Sequence, residues 1–386
     1  MDCIVNEPDP VCSPFFERFS DLFSRTNQKQ GFSAYVRGLL TQMDRKNIEA
    51  ITRCTVDQHY QSLHHFLADS PWDACEVNRR RIEILQADEC TTSRPGGVLV
   101  LDDSGVPKKG KATEGVKRQY IGQLGKISNG QVFVTSHYAD ERCHWPAGLR
   151  PYVPDTWLDD GKADPEFRTK AELALELIEE AQAMQLQYRA VVADSWYGSN
   201  TAFIKELDKR KVPYVMELRS SQRIFARLGQ DIASNEHRLK EALSLLEPKD
   251  FRPVALCGAD GTEPEVFVVC LKLKIKSLPG KRRIVIVTRC PEEPREDENL
   301  EFLMTNVKQL RNDTVARLYA LRNWVEVFYK ESKGDLGAGQ YQVRSLASIE
   351  RHWHLVFVAY SLVVILRRRG KLAAGCQKKG SPFGRL

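Results

Sequence analysis

Between residues 98 and 218 the hydrophobic pattern reads strand, strand, strand, helix, strand, helix, strand, and this order restricts the possible folds more than any other feature of the chain. Val98, Leu99, Val100 and Leu101 form a short apolar run that ends at Asp102 and Asp103. Residues 120–124 and 132–138 are two further strand-like segments, and the Asn129-Gly130 pair between them suits a tight reversal. A helix over 169–184 is expected from the stripe Leu173, Leu177, Ile178, Ala181 and Met184. A strand over 190–193 then ends on Asp194, followed by a helix at 201–209 and a strand at 214–218. An antiparallel meander continued by alternating helices and strands predicts a mixed sheet covered on both faces, an α/β fold.

The flanks carry different patterns. Up to residue 92 the spacing of Phe15, Phe16, Phe19, Leu22 and Phe23, and again of Tyr35, Leu39, Leu40 and Met43, predicts a helical N-terminal domain. The core's first part then spans 93–219. Residues 220–299 read as a β-containing insertion, with Lys272, Lys274 and Lys276 on one face of a strand over 266–275 and Pro279-Gly280 turning the chain towards 284–287. A Pro/Glu-rich linker at 291–298 leads back to the core, 300–366, and a basic tail follows at 367–386. The apolar run 353–366 is short of the ~20 residues a membrane span requires and contains His354, Tyr360 and Ser361, so it is expected to be a buried helix and no membrane partner is expected. Met1-Asp2-Cys3 is acidic with no apolar segment behind it, and the ten cysteines form no C-x-x-C pair. Reduced thiols in a cytoplasm are the expectation. With 57 Lys+Arg against 51 Asp+Glu, a polyanionic partner is permitted but not demanded by bulk charge.

Chemistry concentrates at three places. Tyr319, Arg322, Glu326 and Lys333 follow Y-x2-R-x3-E-x6-K, and on one continuous helix they would fall at about 0°, 300°, 340° and 320°, a single stripe. Leu321, Trp324 and Phe328 point away from it, as a core-packed face would. Asp103 and Asp194 stand at strand ends, where open α/β sheets place reactive groups. An aspartate after a strand is more often a turn or helix cap, so the inference rests on the set: Asp103, Asp194 and Glu326 together supply the hard oxygen donors that two Mg2+ or Mn2+ ions need. Lys108, Lys109 and Lys111 are candidates to track a nucleic-acid backbone, and Trp196, beside Tyr197, to stack on an unpaired base. Cys143-His144-Trp145 lacks a second ligand at metal spacing, and His352 and His354 read as core or surface residues.

Four segments carry a family resemblance: 101–105 (Leu-Asp-Asp-Ser-Gly) with Lys108-Lys109-Gly110, 115–122 (Gly-Val-Lys-Arg-Gln-Tyr-Ile-Gly), 192–198 (Val-Ala-Asp-Ser-Trp-Tyr-Gly) and the Tyr-Arg-Glu-Lys pattern. The chain resembles insertion-sequence transposases of the DDE superfamily, those of insertion sequence family four and its relatives, over most of its length. The resemblance implies a ribonuclease H-like fold and cleavage at transposon ends with strand transfer into target DNA, the cut-and-paste route. Asp103, Asp194 and Glu326 would be the catalytic metal ligands, and Tyr319, Arg322 and Lys333 the contacts to end phosphates. Members place the first ligand directly before Ser or Thr, which selects Asp103; successive strand residues face opposite sides, so the alternative is Asp102. In relatives the second strand is released through a hairpin. The implied setting is a homodimer on double-stranded DNA in a bacterial cytoplasm, beside the nucleoid, with the N-terminal helices as possible DNA readers and no accessory protein identifiable. A transposase-derived regulator that binds without cutting, and a nuclease without strand transfer, are the alternatives.

Overall fold

The computed structural model describes residues 12–55, 58–226, 236–256 and 265–370; the expected tail beyond 370 and the residues before 12 lie outside them. The phenylalanine-rich start folds into α1 (Ser13–Glu17), α2 (Thr26–Leu40), α3 (Ile48–Arg53), α4 (Tyr60–Ala68) and α5 (Ala74–Gln86). Phe19 and Phe23 pack on Phe32 of α2, and Phe66 stacks on Trp72 with ring centroids 5.1 Å apart. Asn47 and Asp73 start α3 and α5 by accepting backbone N–H groups that the first turn would otherwise leave unpaired.

The core follows with β1 (Val98–Pro107), β2 (Lys117–Ile121), β3 (Lys126–Ala139), β4 (His144–Tyr152), α6 (Lys170–Ala183), β5 (Ala190–Ala193), α7 (Ser195–Gly198), α8 (Thr201–Lys209) and β6 (Tyr214–Glu217). After β7 (Arg223–Phe225), β8 (Glu236–Arg238), β9 (Arg252–Ala255), β10 (Glu265–Ile275), β11 (Arg282–Thr288) and β12 (Glu301–Thr305), the chain ends in α9 (Asn312–Ala320), α10 (Asn323–Gly334) and α11 (Leu346–Arg368). Among the described residues the strands form one sheet in the order β2-β3-β1-β5-β6-β12-β11-β10-β7-β8, with β4 on β3 and β9 on β10. Among the described strands only β1–β5 and β5–β6 pair in parallel. This is the mixed sheet with flanking helices that the element order predicts.

One detail differs from expectation. Asn129-Gly130 does not turn the chain; both lie inside β3, and the reversal falls at 122–125, where Gly125 adopts φ 60°. Gly130 is needed for a different reason, since a Cβ there would stand 2.5 Å from the Val106 carbonyl oxygen. The strands of segment 220–299 extend the central sheet, β10 pairing with β11, β11 with β12 and β12 with β6. Two of its basic residues are structural, Arg282 pairing with Asp208 at 2.8 Å and Arg283 donating to Asn312 at 2.6 Å.

α11 is the hub. Its apolar run extends over a helix long enough by composition to cross a membrane, yet 89% of its most apolar stretch is buried in protein. It packs on α2 and α5 on one side and on β4 on the other. Arg81 of α5, fully buried, joins these layers by donating to Asn78, to the Ser361 hydroxyl and to the Ala147 carbonyl. The two histidines of this helix are core residues; His352 meets Tyr35 at 2.8 Å.

Candidate active site

The parallel pairing of β1 with β5 sets the site. Leu101 is the register partner of Ala193, so the next residues along, Asp102 and Asp194, leave the paired region side by side. Asp194 caps α7, its Oδ1 accepting the N–H groups of Trp196 at 3.0 Å and Tyr197 at 3.3 Å. That turn requires Gly198, where a Cβ would stand 1.8 Å from the Glu217 carbonyl oxygen of β6. Asp102 is buried, and burial pushes its carboxyl up to about 7; Arg322 opposes the shift while Asp194 and Glu326 add to it. Two more acids therefore act on Asp102 through space.

The Tyr-Arg-Glu-Lys residues do not share one helix. α9 ends at Ala320 and α10 begins at Asn323; at the junction Arg322, Trp324 and Val325 donate to carbonyls three residues back, not four. Anchors on different strands accompany the break. Tyr319, on α9, donates to Glu217 of β6 at 2.7 Å, whereas Arg322 reaches Asp102 of β1 at 3.1 Å. The same nitrogen, Nη2, lies 3.7 Å from Glu326 Oε1. One guanidinium nitrogen thus bridges Asp102 and Glu326. Although burial opposes its charge, Asp102, Tyr319, Asp194 and Glu326 hold Arg322 above its ordinary value. Lys333, about two turns beyond Glu326 on the same face of α10, donates to the Gly105 carbonyl of β1 at 3.0 Å, and burial draws its ammonium down. Behind these groups Val325 and Phe328 are buried, and Trp324 stacks on His144 at 4.3 Å.

Asp103 lies elsewhere. As the neighbour of Asp102 on a strand it faces the other side, where Tyr197 donates to its Oδ1 at 2.6 Å and Lys170 of α6 to its Oδ2 at 2.7 Å. The sequence points to Asp103 beside Asp194 and Glu326; here the contacts of Asp103 are with Tyr197 and Lys170, and it is Asp102, the alternative, that shares Arg322 with Glu326. Trp196 is 39% exposed, 5.6 Å from Lys170 Nζ, and lines a cavity of about 810 Å3 on the Asp103 side. Lys109 and Lys111 are exposed, but Lys108 is half-buried over the Tyr341 ring, 3.3 Å from its centroid, and burial draws its ammonium down to about 8.

A family profile described as DDE superfamily endonuclease matches residues 18–242, and one described as transposase DDE domain matches 164–362. A probable transposase for insertion sequence element IS701 from Microchaete diplosiphon is 30% identical over 336 residues, covering 86% of this chain and 81% of that protein. The chain belongs to the DDE transposases. The fold of this transposase agrees with the ribonuclease H-like architecture of that family.

Family membership implies divalent metal, and the donors fit it chemically: Asp102, Asp194 and Glu326 are hard oxygen ligands of the kind Mg2+ and Mn2+ take. Contacts of 3.1 and 3.7 Å to one nitrogen put the Asp102 and Glu326 oxygens within roughly 7 Å of each other, a span of the order that two cations ~4 Å apart and their ~2.1 Å bonds require. Among the described residues no three acidic, His or Cys side chains are closed around a common point; Arg322 is the cation the acids share. Lys170, Glu217 and Glu301 are three further charged groups around the site. Burial, with Glu217 beside it, pushes Glu301 up to about 7 against the pull of Arg322. Glu217 was readable, since it ends β6 as Asp194 follows β5; Glu301 becomes visible only once β12 is paired.

Proposed function

We propose that this transposase cleaves DNA at the ends of its own mobile element and joins the freed 3′ hydroxyls to target DNA, with Asp102, Asp194 and Glu326 as its carboxylate set. The observation that carries this reading is the Arg322 bridge: residues from β1 and α10 converge on one nitrogen, beside an aspartate that the sheet register sets next to Asp102. A protein that only bound DNA would gain nothing from placing three carboxylates against a polyanion. Two Mg2+ or Mn2+ ions held there would supply the activation of the attacking water or hydroxyl and the stabilisation of the leaving oxygen.

The chain's own residues do the rest. Arg322 neutralises the acids and, when they are occupied, is free to face a phosphate. Asp103 holds α6 and α7 through Lys170 and Tyr197, and so fixes the turn that carries Asp194. Tyr319 and Lys333 serve as end-phosphate contacts once Glu217 and the Gly105 carbonyl release them. Two ends must be processed together, so the working form is a homodimer assembled on DNA. Incubation with end-bearing DNA and Mg2+ tests the reading: a transposase gives end cleavage and joined products, a nuclease gives cleavage alone, and a regulator gives only a shifted band. Asp194→Asn should abolish cutting and leave end binding intact; a fully active variant would refute the assignment.

A further inference from the structure

The geometry points to a second DNA-docking surface on the β2–β3 hairpin, formed by Arg118, Tyr120 and Ile127 with Leu124 and Lys126 at its tip, which grips the duplex some distance from the acids. It rests on the DNA-transposase reading and adds a contact surface to it. Tyr120 is paired across the hairpin with Ile127 and Arg118 with Asn129, so by strand alternation these four side chains share one face. Tyr120 and Ile127 are each 62% exposed and Leu124 41%, an apolar tip that nothing in the described chain covers. β2 is also the last strand of the sheet.

Charge selects the occupant. Residues 108–126 contain six cations and one acid, Glu114. That acid is committed to the Leu346 N–H at 2.7 Å, and Lys117 to Asp155. Among the described residues Lys109, Lys111, Arg118 and Lys126 make no ion pair. Asn129 donates at 2.8 Å to both the Lys108 and the Gly110 carbonyl, which fastens the Lys109–Lys111 loop against the same hairpin face. Unpaired cations around an exposed aromatic suit a phosphate backbone with a ring set against sugar or base. A second copy of this basic surface would be repelled by it.

The spacing is also suited to a duplex. Thr135 of β3 is the register partner of Asp102, and Ile127 lies eight residues further along. At ~3.3 Å per residue the hairpin face stands about 26 Å from the acids, the length of roughly eight base pairs. The duplex that reaches the acids can therefore lie on the hairpin as well.

The test uses the full chain with a 30-base-pair mixed-sequence duplex in EDTA, read by fluorescence anisotropy across a salt series. Arg118→Ala/Lys126→Ala should weaken binding about tenfold at ~100 mM salt and lower the salt slope by about two. Tyr120→Ala/Ile127→Ser should weaken it about threefold or more with the slope unchanged. A photo-crosslinking residue at Tyr120 should capture the duplex, which keeps the test open if a double variant folds poorly. Unchanged binding in both variants, no crosslink to DNA, or a change in sedimentation of the DNA-free protein, which would mark a protein interface, overturns the proposal. Because EDTA prevents cutting, a wrong carboxylate assignment leaves this result readable, and a failed hairpin leaves the cleavage assay readable.

Discussion

Asp102→Asn should make the protein more stable while destroying its activity, and the gain should depend on pH. The wild-type carboxyl is raised from its ordinary 3.8 to about 7 in the fold. An acid whose folded pKa is raised binds its proton more tightly when folded, so stability is full below about pH 4 and is lost as pH rises towards 7. Three units correspond to about 4 kcal/mol at pH 8, and to less than half of that at pH 5. The pull of Arg322 is already contained in the shifted value, and an amide resembles the protonated acid in size and charge. Thermal melts in EDTA should therefore place the variant roughly 5 °C above wild type at pH 8, with more than half of the gain gone at pH 5. Asp103→Asn provides the contrast. It loses the Lys170 pair and weakens the Tyr197 bond, and should melt lower by the equivalent of about 1–3 kcal/mol. A variant at position 102 that melts lower at pH 8, or whose gain is the same at both pH values, refutes the electrostatic account of this site.

Two further outcomes are expected. Gly198→Ala drives a methyl into the Glu217 carbonyl, so α7 and its capping Asp194 must move off β6; melting should fall by the equivalent of about 3 kcal/mol and end cleavage should be lost even with bound metal in excess. Arg81→Leu removes donors from Asn78, Ser361 and Ala147 at a fully buried point, and urea titration should show a loss of about 3 kcal/mol.

The sequence made some parts of this molecule legible because they are written locally. The Thr169 and Glu172 side chains at the start of α6 form a reciprocal cap, and the apolar stripe behind them repeats at helical period. Asp194 could be read from the β5 run in front of it. Period two along β1 showed that Asp102 and Asp103 must part, but which one meets Glu326 is decided by α10, more than 200 residues away. The same applies to the broken Tyr-Arg-Glu-Lys helix. Its spacing fits one continuous turn pattern, and the break becomes apparent only with Tyr319 anchored on β6 and Arg322 on β1. Asn129-Gly130 is a turn signal by composition, yet its side-chain amide and missing Cβ serve the β1–β3 contact instead.

The central position of α11 has a consequence for how the protein is made. The N-terminal helices leave the ribosome about 260 residues before the helix they pack on, an interval of ~10–50 s at the usual ~5–20 residues per second. Throughout that time Tyr35 and Arg81 lack their partners His352 and Ser361. A polypeptide cut short before residue 346 would never acquire them, so aborted or frameshifted copies of this transposase should be cleared as unfolded chains and should not persist as DNA-binding fragments that compete with the intact enzyme.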